Sequence, residues 1–225
     1  MSDAADPAAA ALSFAAAAAA SAIEAAKVRG VQPIHETGRH ETFVIRHGAT
    51  EWSQNGRHTG RTDLPLLPHG LDEAKRTGEL LHGRPFALVL CSPLSRARHT
   101  CELAGDLDEA EITDDLCEWD YGAYEGITTK EIRLTVPGWT VWDSPVVGGE
   151  TIEQVAARAD RVIARARAAD GDVALFAHGH ILRVIAARWC DLDPREGKRF
   201  PLETASLSVL GWEHEYPTIR VWNQR

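Results

Sequence analysis

Two histidines stand where short apolar runs stop. Thr42-Phe43-Val44-Ile45 ends in Arg46-His47-Gly48, and Val173-Ala174-Leu175-Phe176-Ala177 ends in His178-Gly179-His180. An imidazole at the carboxyl end of a strand lies where open α/β sheets bind their ligands. Arg46 beside His47 points to an anion, and Gly48 lets the backbone come close to it. A third apolar run, Phe86–Cys91, leads into Ser92-Pro93-Leu94-Ser95-Arg96, and a fourth segment, Leu116 to Gly126, carries Glu118. Brought together at strand ends, His47, His178, Arg46, Arg96 and Glu118 would form a cationic pocket with one proton donor. Glu51, Asp120 and Glu125 are rival acids. His180 and Arg183 belong at the pocket mouth, to meet a further anionic group or the body of the ligand, or else serve as helix start and surface charge. The alternation His178-x-His180 would put both rings on one face of a strand. No His-x-x-x-His helix or dense carboxylate cluster accompanies it, so no metal is expected.

The elements that must position these residues are legible from periodicity. Strand signals cover Thr42–Ile45, Phe86–Cys91, Asp172–Ala177, Ser206–Trp212 and Thr218–Trp222. The second and third are nearly continuous apolar runs, as expected of strands buried on both faces. Helix signals cover Gly70–Leu81, Ser95–Ala104, Glu150–Ala168 and Ile181–Trp189. In Glu150–Ala168 the apolar residues recur at i, i+3, i+4 and i+7. Thr151 stands three residues before Gln154, the capping-box spacing. Alternating strands and helices predict a single α/β domain with a mostly parallel sheet and helices on both faces. Residues 115–149, rich in Gly, Pro and Trp, are expected to be irregular, with Trp139 and Trp142 as packing anchors.

The chain has 225 residues, which suits one such domain with an appendage. Its formal charge of -9 leaves no general basic footprint for nucleic acid. Cys91, Cys101, Cys117 and Cys190 form no CxxC pair and read as reduced core thiols of a cytoplasmic protein. The first 26 residues hold 15 alanines. Asp3 and Asp6 argue against a signal peptide, and the run is short and weakly apolar for a membrane span. Residues 1–37 are therefore expected to be a helical or disordered extension, and residues 38–225 the folded domain.

With these motifs in this order, the chain resembles the histidine phosphatase superfamily in its phosphoglycerate-mutase-like branch. The likeness runs from about 42 to 212 and includes Trp52-Ser53, Thr59-Gly60, Thr62-Asp63-Leu64-Pro65-Leu66, Glu118-Trp119-Asp120-Tyr121-Gly122 and Ala177-His178-Gly179-His180. Within that branch it is most similar to acid phosphatases and sedoheptulose-1,7-bisphosphatase-type members. The resemblance implies a phosphoglycerate-mutase-like fold and His47 as the nucleophile. It implies that Arg46, Arg96 and His178 hold the phosphoryl oxygens and that Glu118 is the general acid. Ser53, Thr59, Gly179, His180 and Arg183 are then expected to contact the substrate.

Elementary chemistry agrees with those roles. Neutral imidazole is a competent nucleophile near pH 6–7 without a metal or other cofactor. Guanidinium forks match the equatorial oxygens of a phosphoryl group in flight. An alkoxide leaves poorly, so a carboxylic acid must protonate it. The expected activity is a metal-independent phosphomonoesterase of acid phosphatase type, acting on small phosphorylated metabolites. One alternative is a cofactor-dependent phosphoglycerate mutase. Against it, only 59 residues separate Glu118 from His178, where mutases carry a longer insertion, and Ser53 replaces their Asn. The other alternative is a non-catalytic phospho-ligand-binding module, which would not need all five catalytic residues. A homodimer is the default assembly.

Overall fold

The computed structural model describes residues 39–81, 83–105 and 110–225. The alanine-rich extension, His35 and His82 lie outside the described residues. Strand β1 (Thr42–Arg46) is followed by helix α1 (Glu51–Asn55), helix α2 (Pro68–Leu81), strand β2 (Leu88–Cys91), helix α3 (Ser95–Ala104) and strand β3 (Ala110–Ile112). Helices α4 (Thr129–Thr135) and α5 (Ile152–Ala168) precede strand β4 (Val173–Ala177) and helix α6 (Gly179–Trp189). Strands β5 (Leu207–Glu213) and β6 (Tyr216–Gln224) complete the order.

The sheet runs β3-β2-β4-β1-β5-β6. Its first four strands are parallel, and β5 and β6 add an antiparallel edge. The mostly parallel α/β fold read from the alternation of elements is thus the one observed. Side-chain alternation sends Val44, Leu90 and Leu175 to one face, where they pack with α5 and α6. Phe43, Ile45, Val89, Cys91, Ala174 and Phe176 point the other way, onto Leu81 of α2 and Ala97 and Cys101 of α3. Both faces are covered, so β4 is buried at every position, which explains its unbroken apolar run.

Three helices begin at capping boxes. Thr151 and Gln154 start α5 as the spacing predicts, with the Thr151 N–H donated to Gln154 Oε1 at 2.8 Å. Thr128 and Glu131 start α4, and Thr50 and Ser53 start α1. Neither α1 nor α4 was expected, nor was β3. All three are short, and α4 gives the 115–149 segment a helical turn where irregular chain was foreseen. Trp139 is the packing anchor expected there, 1% exposed, with its indole N–H on the Pro145 carbonyl. Cys91, Cys101 and Cys117 are buried, Cys190 is half-buried, and none of the four forms a disulfide.

Candidate active site

Parallel pairing of β1 and β4 sets Arg46 opposite Ala177. The residues that follow each strand are then neighbours. The His47 N–H donates to the Ala177 carbonyl at 3.0 Å, and the rings of His47 and His178 lie 5.1 Å apart. β2 ends one strand further along, where the Ser92 N–H donates to the Phe176 carbonyl at 3.0 Å. Register alone therefore assembles three of the four segments.

The turn after β1 is tightly held. A Cβ on Gly48 would lie 2.3 Å from the Gly70 carbonyl oxygen, so only glycine permits the approach of α2. His47 is 5% exposed, and its Nδ1 faces the Gly48 carbonyl at 2.7 Å. A carbonyl only accepts, so Nδ1 carries the hydrogen and Nε2 keeps its lone pair. Burial first, then the charges of Arg96 and Arg46, holds the His47 pKa well below the usual imidazole value. His47 is a neutral, oriented base.

Arg46 donates from one terminal nitrogen to the Leu202 carbonyl. Its Nε is buried and has no partner among the described residues. Gly179 lies against this guanidinium, where a Cβ would be in van der Waals contact, 3.4 Å from both Cζ and Nε. A buried cationic donor left open beside an imidazole lone pair is suited to an anionic oxygen.

Arg96 and His178 stand behind this pair, both fully buried. Arg96 donates to the carbonyls of Thr62 at 2.9 Å, Gly60 at 3.0 Å and Thr59 at 3.2 Å. Its Nε–H goes to His178 Nδ1 at 3.1 Å, and His178 Nε2 meets Ser92 Oγ at 2.7 Å. Burial and then the Arg96 charge keep His178 neutral, with a pKa well below the usual value.

Glu118 is drawn to the amino end of α6. Its Oε1 accepts the N–H of Trp119 at 2.9 Å and of Ile181 at 3.0 Å, while Oε2 accepts only the His180 N–H at 2.9 Å. A carboxylate suits this helix end, where N–H groups lack intrahelical partners. Oε2 retains spare capacity for a proton.

These groups border a pocket of about 390 Å³, a size that suits a small metabolite. Arg46, His47, Ser53, Thr59, Glu118, Gly179, His180 and Arg183 are on its wall, whereas Arg96 and His178 are not. The Ser53 hydroxyl is engaged in the α1 cap, donating to the Thr50 carbonyl at 2.8 Å. Arg183 donates to the carbonyls of Gly197 and Lys198 at 3.0 and 3.1 Å, and its guanidinium lies 4.6 Å from the Trp142 ring centroid. Trp142 is therefore both anchor and pocket wall.

The wall also holds residues that sequence reasoning passed over: Arg57, His58, Tyr121 and Arg133. The Tyr121 hydroxyl and His180 Nδ1 are 2.6 Å apart. Burial, then the Glu118 charge, pushes the Tyr121 phenol well above its usual pKa, so it donates and His180 accepts. Burial followed by Arg183 holds His180 neutral, and burial lowers His58 to about 4. His58 packs against Tyr121 and Trp139, ring centroids 4.7 and 5.4 Å away. Its position directly before the Thr59-Gly60 motif was the available signal. His40, His69, His99 and His214 are exposed.

Among the described residues, no helix is long and apolar enough to cross a membrane, and no group of three or more His, Cys, Asp or Glu is arranged to hold a metal ion.

Comparison with known proteins agrees with this geometry. The family model for branch 1 of the histidine phosphatase superfamily matches residues 42–225. An acid phosphatase of Mycobacterium tuberculosis is 42% identical over 179 residues, covering 78% of this chain and 88% of its own. Sedoheptulose 1,7-bisphosphatase of Saccharomyces cerevisiae is 38% identical over 182 residues, covering 67% of each chain. The solved structure of a Mycobacterium tuberculosis open reading frame superposes with a TM-score of 0.79 at 40% identity, covering 82% of this chain and 97% of its own. The matched span contains every strand-end residue described above, and the chain belongs to branch 1 of the histidine phosphatase superfamily.

Proposed function

We propose that this histidine phosphatase is a metal-independent phosphomonoesterase that hydrolyses small phosphorylated metabolites through phospho-His47. One observation carries the reading. Arg46, whose Nε–H has no partner among the described residues, and His47, whose Nε2 keeps its lone pair, line the same pocket, the first suited to a phosphoryl oxygen and the second to phosphorus.

In this reading the Nε2 lone pair attacks phosphorus as the bond from phosphorus to the ester oxygen breaks. Glu118 gives its proton to the departing oxygen, which leaves as an alcohol. The Glu118 carboxylate then takes a proton from water. The water oxygen attacks phosphorus, the P–N bond breaks, and its electron pair returns to Nε2. Arg46 neutralises charge on the phosphoryl oxygens throughout. Arg96 adds a fixed positive charge from behind, and its bond to His178 holds the floor rigid. Arg57, Arg133 and Arg183 at the mouth favour a leaving group that carries further anionic or polar substituents.

The test is phosphate release from a panel of phosphorylated metabolites at pH 5–7 in the presence of EDTA, for wild type and His47→Ala. Release by wild type alone, with a trapped phosphohistidine missing from the variant, supports the reading. Equal release by the variant removes His47 as nucleophile. Loss with EDTA that zinc restores would replace the mechanism with a metal-dependent one. Conversion of 3- to 2-phosphoglycerate without hydrolysis would favour the mutase.

A further inference from the structure

Glu73 on α2 is a buried carboxylate that the mechanism above does not use; it is 8% exposed. Its Oε2 accepts the Ala49 N–H at 3.0 Å and the Thr204 hydroxyl at 3.2 Å. Its Oε1 accepts from the Arg225 guanidinium at 3.1 Å. Ala49 belongs to the turn that carries His47 and Gly48. Thr204 belongs to the 202–206 loop, which holds the catalytic pair from the other side. Leu202 accepts from Arg46, the Ala205 N–H donates to the His47 carbonyl at 3.0 Å, and the Arg46 N–H donates to the Ser206 carbonyl at 3.2 Å. One turn beyond Glu73, the Thr77 hydroxyl donates to the Ala205 carbonyl at 2.9 Å. Ala205 itself is at φ +51°, a conformation an L-residue keeps only when its surroundings impose it.

We propose that Glu73 is a positioning residue. Its carboxylate ties the nucleophile turn to the 202–206 loop and so sets the placement of His47 against Arg46. The tie works because both loops present donors and one oxygen accepts from each. If it is lost, the Ala49 N–H is buried without a partner, and the Gly48 carbonyl that fixes the His47 tautomer is free to move. The inference rests on His47 as nucleophile, so its test includes a readout that needs no turnover.

Glu73→Ala is expected to lower kcat about 10- to 100-fold with KM changed less than about threefold, the signature of a misplaced reacting group. Long-range proton–nitrogen NMR of His47 is expected to change from a single Nδ1–H tautomer to a mixture. Glu73→Gln keeps an amide oxygen in the Oε2 position, which can accept from both the Ala49 N–H and the Thr204 hydroxyl, so it should recover most of kcat. Arg225→Ala leaves both loop links in place and should keep wild-type kcat. If Glu73→Ala does not fold, Thr204→Val, which cuts one link, carries the test with a smaller kcat loss and the same NMR change. Wild-type kcat with unchanged His47 signals in the folded variant overturns the proposal. An equal kcat loss in Arg225→Ala assigns the effect to the ion pair and also overturns it. A wild type that releases no phosphate would count against the phosphatase reading, while the His47 spectra would still decide the tie.

Discussion

The Nε–H of Arg96 donates to Nδ1 of His178 at 3.1 Å, and this bond decides which ring nitrogen of His178 carries its hydrogen. Nε2 is then the N–H that meets Ser92 Oγ at 2.7 Å. A buried guanidinium, a neutral imidazole and a hydroxyl form one chain behind His47. Each member has its polar groups satisfied, so the chain is rigid.

Arg96→Lys should break this chain. An ammonium cannot reach the Thr59, Gly60 and Thr62 carbonyls and His178 at once. The variant is expected to lose about 100-fold in kcat/KM through displacement of the site and to melt at lower temperature. Steady-state kinetics and a thermal melt check this, and wild-type values in both would show that Arg96 is replaceable.

Glu118→Gln tests the proposed general acid and sets an amide against the amino end of α6. The loss should be about 100- to 10,000-fold for alkyl phosphates and much smaller for p-nitrophenyl phosphate, whose leaving group needs little protonation. The comparison of the two substrates is the measurement. Equal losses would move the acid to another residue.

His47 is held neutral well below the usual imidazole range by burial and by Arg96 and Arg46. In the free enzyme His47 should therefore stay unprotonated as pH falls through about 6.5, where an unperturbed histidine protonates. The acid limb of kcat/KM, corrected for the substrate's own phosphate ionisation, should lie below that value. A limb at or above it, in wild type, would contradict the neutral, buried nucleophile.

Stability should show the opposite sensitivity. His58 has a folded pKa of about 4. The unfolded chain takes up this proton near pH 6.5, so below that pH it binds more protons than the folded state. The stabilisation is complete above about 6.5 and is lost as pH falls towards about 4. His58→Phe keeps an aromatic ring against Tyr121 and Trp139 but cannot take up the proton. Urea unfolding between pH 6 and 4.5 should show a pH slope reduced by up to about 1.4 kcal/mol per unit. An unchanged slope would mean that His58 is not buried neutral.

By itself, the sequence determined the parallel core, the N-terminal cap of its longest helix and the chain order of the candidate site residues. Those signals are local: an unbroken apolar run demands burial on both faces, and Thr151 with Gln154 needs only three residues of helix. The capping box Thr128 to Glu131 was equally legible and marks α4, although that helix is only seven residues long. Tertiary structure alone added Arg57, His58, Tyr121 and Arg133 to the pocket wall and kept Arg96 and His178 off it. Arg96 turns inward because the Thr59–Thr62 carbonyls, more than thirty residues away, need donors. His58 and Tyr121 become pocket wall because α4 and His180 supply their partners. Glu73 looks like any charge on an amphipathic helix until Ala49 and Thr204 arrive from opposite ends of the chain. Periodicity reports which face of an element is apolar, but a buried polar side chain takes its direction from donors and acceptors distant in sequence, and only the fold brings those together.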